Sequence, residues 1–303
     1  MKVLIFGNSK HTRNRIIPAL TKLTDIKIDL VTSSAVKSKI FNVENIYNYE
    51  SNDLINQEYD VVFISTFPNQ HIELLKKYSF LSKIFLIEKP IYTDAKQVNL
   101  EELPSDKFIV ECLMYRYHPL FHKFKEIYIN NEVIKVESSF CIPDLDKENF
   151  RYNQQIGGGV IYDQGIYPLS LMSFISKNKI NKTRQFKKFD KKLKTEVGQK
   201  VNFIVDDKVE FFAEWELGSE YKNQVKLYTK DSVFVFPSFF SKANNFFSYF
   251  EEFTENNYKK IEIGTFDQFF LMYQELFKIN EHKVEIEKLF LNQRYDLIKQ
   301  LTY

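Results

Sequence analysis

The chain has 303 residues, enough for two domains of ordinary size, and its 44% hydrophobic and 27% charged residues mark a folded globular protein. The 42 basic and 40 acidic side chains are interspersed and leave a net charge of +2, which gives no electrostatic case for a nucleic-acid or membrane partner. Two cysteines, Cys112 and Cys141, are too few for a disulfide framework, and no apolar run reaches the roughly 18 residues that a membrane span needs.

Met1 to Phe6 enters a strand directly, without the pattern of a secretory signal, so a cytoplasmic protein is expected. A helix is predicted over Arg15 to Leu23, a second strand over Ile26 to Val31, and a third over Tyr59 to Ser65. A helix follows over His71 to Tyr78, then apolar strands over Ile84 to Ile87 and Phe108 to Cys112, the latter placing Cys112 as a buried free thiol. This alternation predicts an α/β domain with a doubly wound parallel sheet over residues 1–118. The pattern then changes. After a helix over Leu120 to Ile129, period-two segments succeed one another: Ile134 to Ile142, Val197 to Val205, Val209 to Leu217, Gln224 to Thr229 and Ser232 to Phe236. One helix, Tyr162 to Ser176, interrupts them, and Lys179 to Lys194 reads as an exposed strand edge with its connection. Helices over Thr265 to Ile279 and Glu285 to Leu301 close the chain, the last free to pack back on the first domain. Residues 119–303 are thus expected to form an α+β domain on a largely antiparallel, open-faced sheet. An apolar open face would be covered in a homodimer or homotetramer.

Ligands on doubly wound sheets bind at the carboxyl ends of the strands, where the chemistry-bearing residues cluster. After the first strand comes Gly7-Asn8-Ser9-Lys10-His11-Thr12, in which only the first glycine of a dinucleotide-binding turn is present; Ser9 and Thr12 are small enough for a backbone to approach a pyrophosphate. The same stretch also reads as a plain strand-to-helix turn. The second strand ends in Thr32-Ser33-Ser34-Ala35-Val36-Lys37, with no carboxylate at the position that would hold a ribose hydroxyl; Asp29 comes too early and reads as an exposed strand residue. The hydroxyls of Ser33 and Ser34 with Lys37 suit a 2′-phosphate, favouring NADP(H) over NAD(H). Lys89, in Glu88-Lys89-Pro90, stands at a strand end, and a cis Lys89–Pro90 bond is open to it. The run from Gly157 to Pro168 carries Asp163, Gln164, Gly165 and Tyr167, with Asp163 and Tyr167 one helical turn apart. A lysine ammonium beside a tyrosine hydroxyl suits proton transfer to or from a sugar hydroxyl or ketone, with the ammonium lowering the tyrosine pKa. Asp163 would orient Lys89, hold a sugar hydroxyl, or only serve the helix dipole. The histidines make no metal motif: His118 and His122 are spaced i, i+4, but Pro119 interrupts and no glutamate lies between them, so no metal is expected.

Glu88-Lys89-Pro90, the preceding Ser65 to His71 segment, and the Gly-Gly-Gly-x-x-x-Asp-x-Gly-x-Tyr-Pro segment occur in an order that resembles the Gfo/Idh/MocA family of NAD(P)-dependent sugar oxidoreductases. The resemblance covers nearly the whole chain. Glu111 to Pro119 is similar to the family's segment that ends the nucleotide domain, Asn149 to Tyr152 to the branch that includes NDP-hexose 3-ketoreductases and dihydrodiol dehydrogenases, and Leu217 to Asn223 and Asp267 to Phe269 to the sugar-nucleotide ketoreductase branch; Tyr167 stands where many members carry histidine. The resemblance implies a Rossmann domain that holds the cofactor through Gly7, Ser9, His11, Thr12, Thr66, Pro68, His71, Glu88 and Lys89. Thr66 and Pro68 would flank the nicotinamide ribose, with His71 either beside them or only making a structural hydrogen bond. Tyr167 would protonate a ketone oxygen during hydride transfer, helped by Lys89 and ordered by Asp163. Arg116, Tyr117, Arg151, Tyr152 and Gln164 are candidates to touch a sugar or its nucleotide, although Arg116 equally suits a salt bridge between domains. The expected activity is NADPH-dependent reduction of an NDP-linked 3-ketohexose. Oxidation of a free sugar, polyol or dihydrodiol, and a non-catalytic cofactor-binding protein favoured by the eroded glycine turn, stay open.

Overall fold

The computed structural model describes residues 1–33, 40–94, 103–177, 179–191, 195–278 and 281–302, and leaves the side chains of residues 154 and 281–284 outside that description. A six-stranded sheet is built from β1 (Lys2–Phe6), β2 (Lys27–Val31), β3 (Asn45–Tyr47), β4 (Val61–Ile64), β5 (Ile84–Glu88) and β6 (Phe108–Cys112). All neighbours are parallel, in the order β3-β2-β1-β4-β5-β6. The central strands bury nearly every residue, which is why they read as unbroken apolar runs: a parallel sheet covered on both faces leaves no polar side. The strand order reverses between β1 and β4, so a crevice opens at their carboxyl ends.

Helices after β1 and β4 border that crevice. A π-helical turn at Thr12–Ile16 runs into α1 (Ile17–Leu20). This helical run begins ahead of the predicted Arg15 because the Ser9 hydroxyl accepts a hydrogen bond from the Thr12 N–H at 3.0 Å. α2 (Asn52–Ile55) and β3 are too short to announce themselves by periodicity. α3 (His71–Lys77) lies against β4. Asp29, expected at the surface, is instead 1% exposed on β2. Its carboxylate accepts from the Asn45 N–H at 3.1 Å, the Asn45 side-chain amide at 2.9 Å and the Tyr59 hydroxyl at 3.0 Å, and those bonds offset its burial.

The chain then passes through α4 (Pro119–Asn130) into an eight-stranded sheet. Its strands are β7 (Val133–Ile142), β8 (Ile180–Phe189), β9 (Glu196–Val205), β10 (Val209–Leu217), β11 (Lys222–Thr229), β12 (Ser232–Pro237), β13 (Phe247–Thr254) and β14 (Tyr258–Thr265). They lie in the order β14-β13-β12-β11-β7-β10-β9-β8, antiparallel except where β7 and β10 run parallel. β13 and β14 escaped the sequence reading because their exposed, charge-rich positions blur the alternation. One face, with Val201, Phe203, Phe211, Trp215 and Leu227 all buried, packs under the helices. α5 (Ile166–Ile175) is apolar nearly all round because it lies between this sheet and the last helix, α7 (Glu281–Thr302); α6 (Gln268–Leu276) precedes α7.

The other face is not the bare apolar surface expected from the sequence. Glu214 lies between Lys200 and Lys222, each at 2.9 Å, Glu216 pairs with Lys188, and Glu137 accepts from the Tyr228 hydroxyl at 3.0 Å. Long lysine side chains cover the strands there, with exposed aromatics, Phe186, Phe253 and Tyr258 among them, between the charges.

α7 packs against β6 of the first sheet. Arg294 and Glu111, both 2% exposed in their side chains, form a buried ion pair. Glu111 also accepts from the Ile91 N–H at 2.8 Å and the Tyr295 hydroxyl at 3.1 Å. Arg294→Met would leave Glu111 charged and buried with neutral partners only. Urea unfolding should show a loss of about 3–5 kcal/mol, and Glu111→Gln added to Arg294→Met should recover most of it.

Candidate functional site

A cleft of about 560 Å³ opens at the carboxyl ends of β1, β4 and β5 and is closed on its far side by residues of the second sheet and its helices. Gly7 makes the innermost turn, at φ +106°, where its N–H donates to Val31 at 2.9 Å. A Cβ there would lie 2.3 Å from the Ser65 carbonyl oxygen, so only glycine lets β1 and β4 approach each other at the switch point.

Lys89 follows β5 and is joined to Pro90 by a cis peptide bond. Its ammonium donates to the Asp163 carboxylate at 2.7 Å and to the Asp163 carbonyl at 2.9 Å. Asp163 lies in a π-helical turn, Ile161–Gly165, that leads into α5. Its second carboxylate oxygen accepts from the Arg151 guanidinium and from the Gln164 amide at 2.8 Å. The glycines explain how this turn reaches the first sheet. A Cβ on Gly157 would stand 2.9 Å from the Asn69 N and from the Pro68 ring, and one on Gly165 would stand 2.8 Å from the Trp215 indole.

Tyr167, on the first turn of α5, has its ring centroid 5.0 Å from the Lys89 ammonium. Phe140, Phe240 and Tyr115 surround it, and it is 4% exposed. Burial raises its pKa, and the pull of Lys89 in the other direction does not overcome this. The hydroxyl is therefore protonated at neutral pH, against the expectation that the lysine would lower it. For Lys89, burial alone favours the neutral amine, but Asp163 and then Tyr167 outweigh it and hold the pKa above its usual value. Burial would raise Asp163 as well, yet Lys89 and Arg151 hold it down at about 2.

Other predicted residues divide into those that line the cleft and those that hold it from behind. Ser9, His11, Ser33, Thr66, Pro68, Glu88 and Arg151 line it with Gly7, Lys89, Asp163 and Tyr167. His11 lies 3.4 Å from Glu88 and meets the Phe269 ring edge-on at 5.3 Å. Thr12 is fully buried, bonded to Ser9 and to the Ser65 hydroxyl at 3.2 Å. His71 is fully buried with its ring nitrogens 2.9 Å from the Pro90 carbonyl and 3.2 Å from the Thr66 carbonyl. It joins the two cleft-lining loops, and burial lowers its pKa. Gln164 is buried behind Asp163.

Besides Gln164, three further substrate candidates do not reach the cleft. Arg116 makes two 2.6 Å hydrogen bonds to Glu287 on α7 and stacks on Phe174, 3.8 Å from the ring centroid, because the interface of α5 and α7 offers both a carboxylate and an aromatic face. Tyr117 packs beside it. Tyr152 turns its hydroxyl to Asp144, near Lys147. Ser34 and Lys37 lie outside the described residues. Arg15, Tyr49, Met114, Ser241 and Lys242 line the cleft without having been singled out. The available signal for Lys242 was a lysine at the end of an aromatic run, Phe239-Phe240-Ser241-Lys242. His118 accepts from the Leu120 N–H at 3.0 Å and so caps α4.

No family model matches the chain. In sequence it is 24% identical over 179 residues to a dTDP-3,4-didehydro-2,6-dideoxy-alpha-D-glucose 3-reductase of Saccharopolyspora spinosa, covering 55% of this chain and 54% of that protein. The chain spans about half the length of the curated relatives it matches. In structure it is similar to KijD10, a 3-ketoreductase from Actinomadura kijaniata in complex with NADP and TDP-benzene, at a TM-score of 0.87 and 18% identity over 99% of this chain and 97% of that one. It is also similar to a Gfo/Idh/MocA family oxidoreductase from Vibrio cholerae, at a TM-score of 0.73 and 16% identity over 100% of this chain and 98% of that one. These likenesses show the fold, which is the two-sheet arrangement that the family resemblance implies.

Asp163 carries a pH signature. A carboxylate depressed in the folded state contributes stability that is present above its unfolded pKa and lost as pH falls through the folded one, here from about 4 towards about 2. Urea unfolding of the wild type should lose about 2 kcal/mol across that window beyond what Asp163→Asn loses, and the variant should be the less stable of the two at pH 7.

Proposed function

We propose that this chain is a Gfo/Idh/MocA-type oxidoreductase that reduces a keto sugar with NADPH, the sugar being an NDP-linked 3-ketohexose of surface-glycan or deoxysugar biosynthesis. The observation that carries it is the Lys89–Asp163 ion pair beside the buried, protonated Tyr167 at the switch point of a parallel sheet. The matched 3-reductase relatives and the NADP-bound KijD10 support the substrate class and the cofactor. On this reading residues 1–118 hold the cofactor and residues 119–303 the substrate.

The residues present fit a dinucleotide. The side-chain-free turn at Gly7 leaves its backbone open to a pyrophosphate, and Ser9 and His11 line the same cleft. Asp29 has its carboxylate engaged by Asn45 and Tyr59, and Ser33 lines the cleft at the end of β2. No carboxylate is thereby offered to a ribose 2′-hydroxyl from these positions, which supports NADP over NAD. When bound, the cofactor supplies the hydride. Tyr167 donates its phenolic proton to the ketone oxygen. Lys89 presents a fixed positive charge that stabilises the tyrosinate left behind and the oxygen as it gains charge, and Asp163 with Arg151 keeps the ammonium aimed. A cytoplasmic location and a homodimer or homotetramer belong to the same proposal, the latter supported by the exposed Phe186 and Phe253 on the open sheet.

Purified protein should be stabilised more by NADPH than by NADH in thermal unfolding, and should oxidise NADPH with a TDP-linked 3-keto sugar. Tyr167→Phe should cut kcat by about 10²–10⁴ while leaving the NADPH Kd unchanged. Full turnover by that variant would remove Tyr167 from the chemistry. A preference for free sugars would move the substrate to the polyol class, and binding of neither cofactor would favour a non-catalytic protein.

A further inference from the structure

The cleft holds more positive charge than its proton-transfer cluster uses. Lys89 and Arg151 share Asp163, and His11 faces Glu88. Two further cations line the same cleft from different sheets: Arg15, on the helical turn that follows Gly7, and Lys242, in the connection between β12 and β13. The two sides meet where the Arg15 guanidinium donates to the Asn244 side-chain carbonyl at 2.9 Å. Among the described residues, no carboxylate lies within ion-pair distance of either cation.

For Lys242 that lack is costly. The residue is 6% exposed, and its ammonium donates only to neutral oxygens: the Phe239 carbonyl at 3.0 Å, the Phe240 carbonyl at 3.5 Å and the Gln268 amide at 3.4 Å. Burial pushes its pKa down to about 7. The surrounding elements bring no counter-charge. At the start of α4, His118 is held neutral by burial and then by Lys242 itself, at about 3. At the start of α6, the Asp267 carboxylate is paired with Lys22. A buried ammonium with neutral partners, in a cleft that also carries an unmatched guanidinium and the open turn at Gly7, fits an anion brought in by the ligand.

We propose that Lys242, together with Arg15, binds the diphosphate of the ligand that spans this cleft. This rests on the nucleotide-dependent reading above. The chemistry is common to a dinucleotide and a nucleoside-diphosphate sugar, each of which carries a diphosphate. Charge-assisted bonds from a buried ammonium gain strength only when that anion arrives, so Lys242 is a binding residue supplied by the second sheet to a ligand seated on the first. Binding also favours the protonated lysine, and so draws protons from solution near neutral pH.

The test is isothermal titration calorimetry of the full chain at pH 7.5, with NADPH, TDP and inorganic pyrophosphate as separate titrants, in two buffers of different ionisation enthalpy. Wild type should take up a fraction of a proton on binding. Lys242→Met should lose that uptake and weaken, by roughly tenfold or more, the nucleotide whose diphosphate the lysine holds, while the other stays within about twofold. That difference separates cofactor from substrate. Lys242→Arg should keep the affinity without proton uptake, because a guanidinium stays charged. Arg15→Gln, on a half-buried surface, should weaken the same nucleotide and serves if Lys242→Met fails to fold. Unchanged affinities in both Lys242→Met and Arg15→Gln, or proton uptake that persists in a folded Lys242→Met, would overturn the proposal. If wild type bound neither nucleotide, the functional reading would fall, and the pyrophosphate titration would decide the anion site alone: binding lost in the variants supports it, and no binding to wild type sinks it.

Discussion

The contact between Lys89 and Asp163 is the one on which the rest of the structure depends. One partner ends a strand of the parallel sheet and the other sits in the helical turn that enters the second sheet's core. Two charges taken out of water are tolerable only when each has its partner, and here Arg151 and Gln164 complete the set around Asp163. The geometry must therefore hold to within a hydrogen bond, which forces the two sheets into one relative position. Gly157 and Gly165 are consequences of that demand: each removes a Cβ that would push the turn off Pro68 or off Trp215.

Behind this charged contact Tyr167 is backed by an aromatic cluster. Tyr167 lies among Phe140, Tyr115 and Phe240, and Phe240 meets Phe239, which packs on Phe124. Such a floor keeps the dielectric low, and the same burial explains both a tyrosine that stays protonated and a lysine, Lys242, that holds its proton weakly. Lys89 and Lys242 border one cleft with opposite shifts because only the first has a carboxylate.

Much of this was legible in the sequence because local pattern and final burial agree. The runs that became β1, β4, β5 and β6 are apolar since a parallel sheet has no wet face, and β9 and β10 alternate since theirs has one. Lys89, Asp163 and Tyr167 stand out in the sequence because they occur in an ordered set of motifs, and the structure brings them together at one cleft. What escaped detection depends on partners distant in sequence. Asp29 reads as a surface residue until Asn45 and Tyr59 come to it, and Lys242 joins the cleft only when the connection between β12 and β13 folds over Arg15. For Arg116 the sequence leaves a substrate contact and a salt bridge equally open, and the structure has the salt bridge, to Glu287. The open face of the second sheet was misjudged for a related reason, since Lys200 and Lys222 converge on Glu214 from two different strands.

The return of α7 to the first sheet sets an order on folding. β6 is complete at Cys112, but the arginine that neutralises its Glu111 is Arg294, and Tyr295 caps the same carboxylate. During synthesis the first sheet must wait for about 180 further residues, roughly ten to forty seconds at ribosomal speed, before this buried charge finds its partner. Until then Glu111 is better hydrated than buried, and the β6 edge of the sheet is better open than closed. A ribosome-bound fragment ending before α7 would therefore expose the apolar residues that α7 covers, a surface of the kind that chaperones bind.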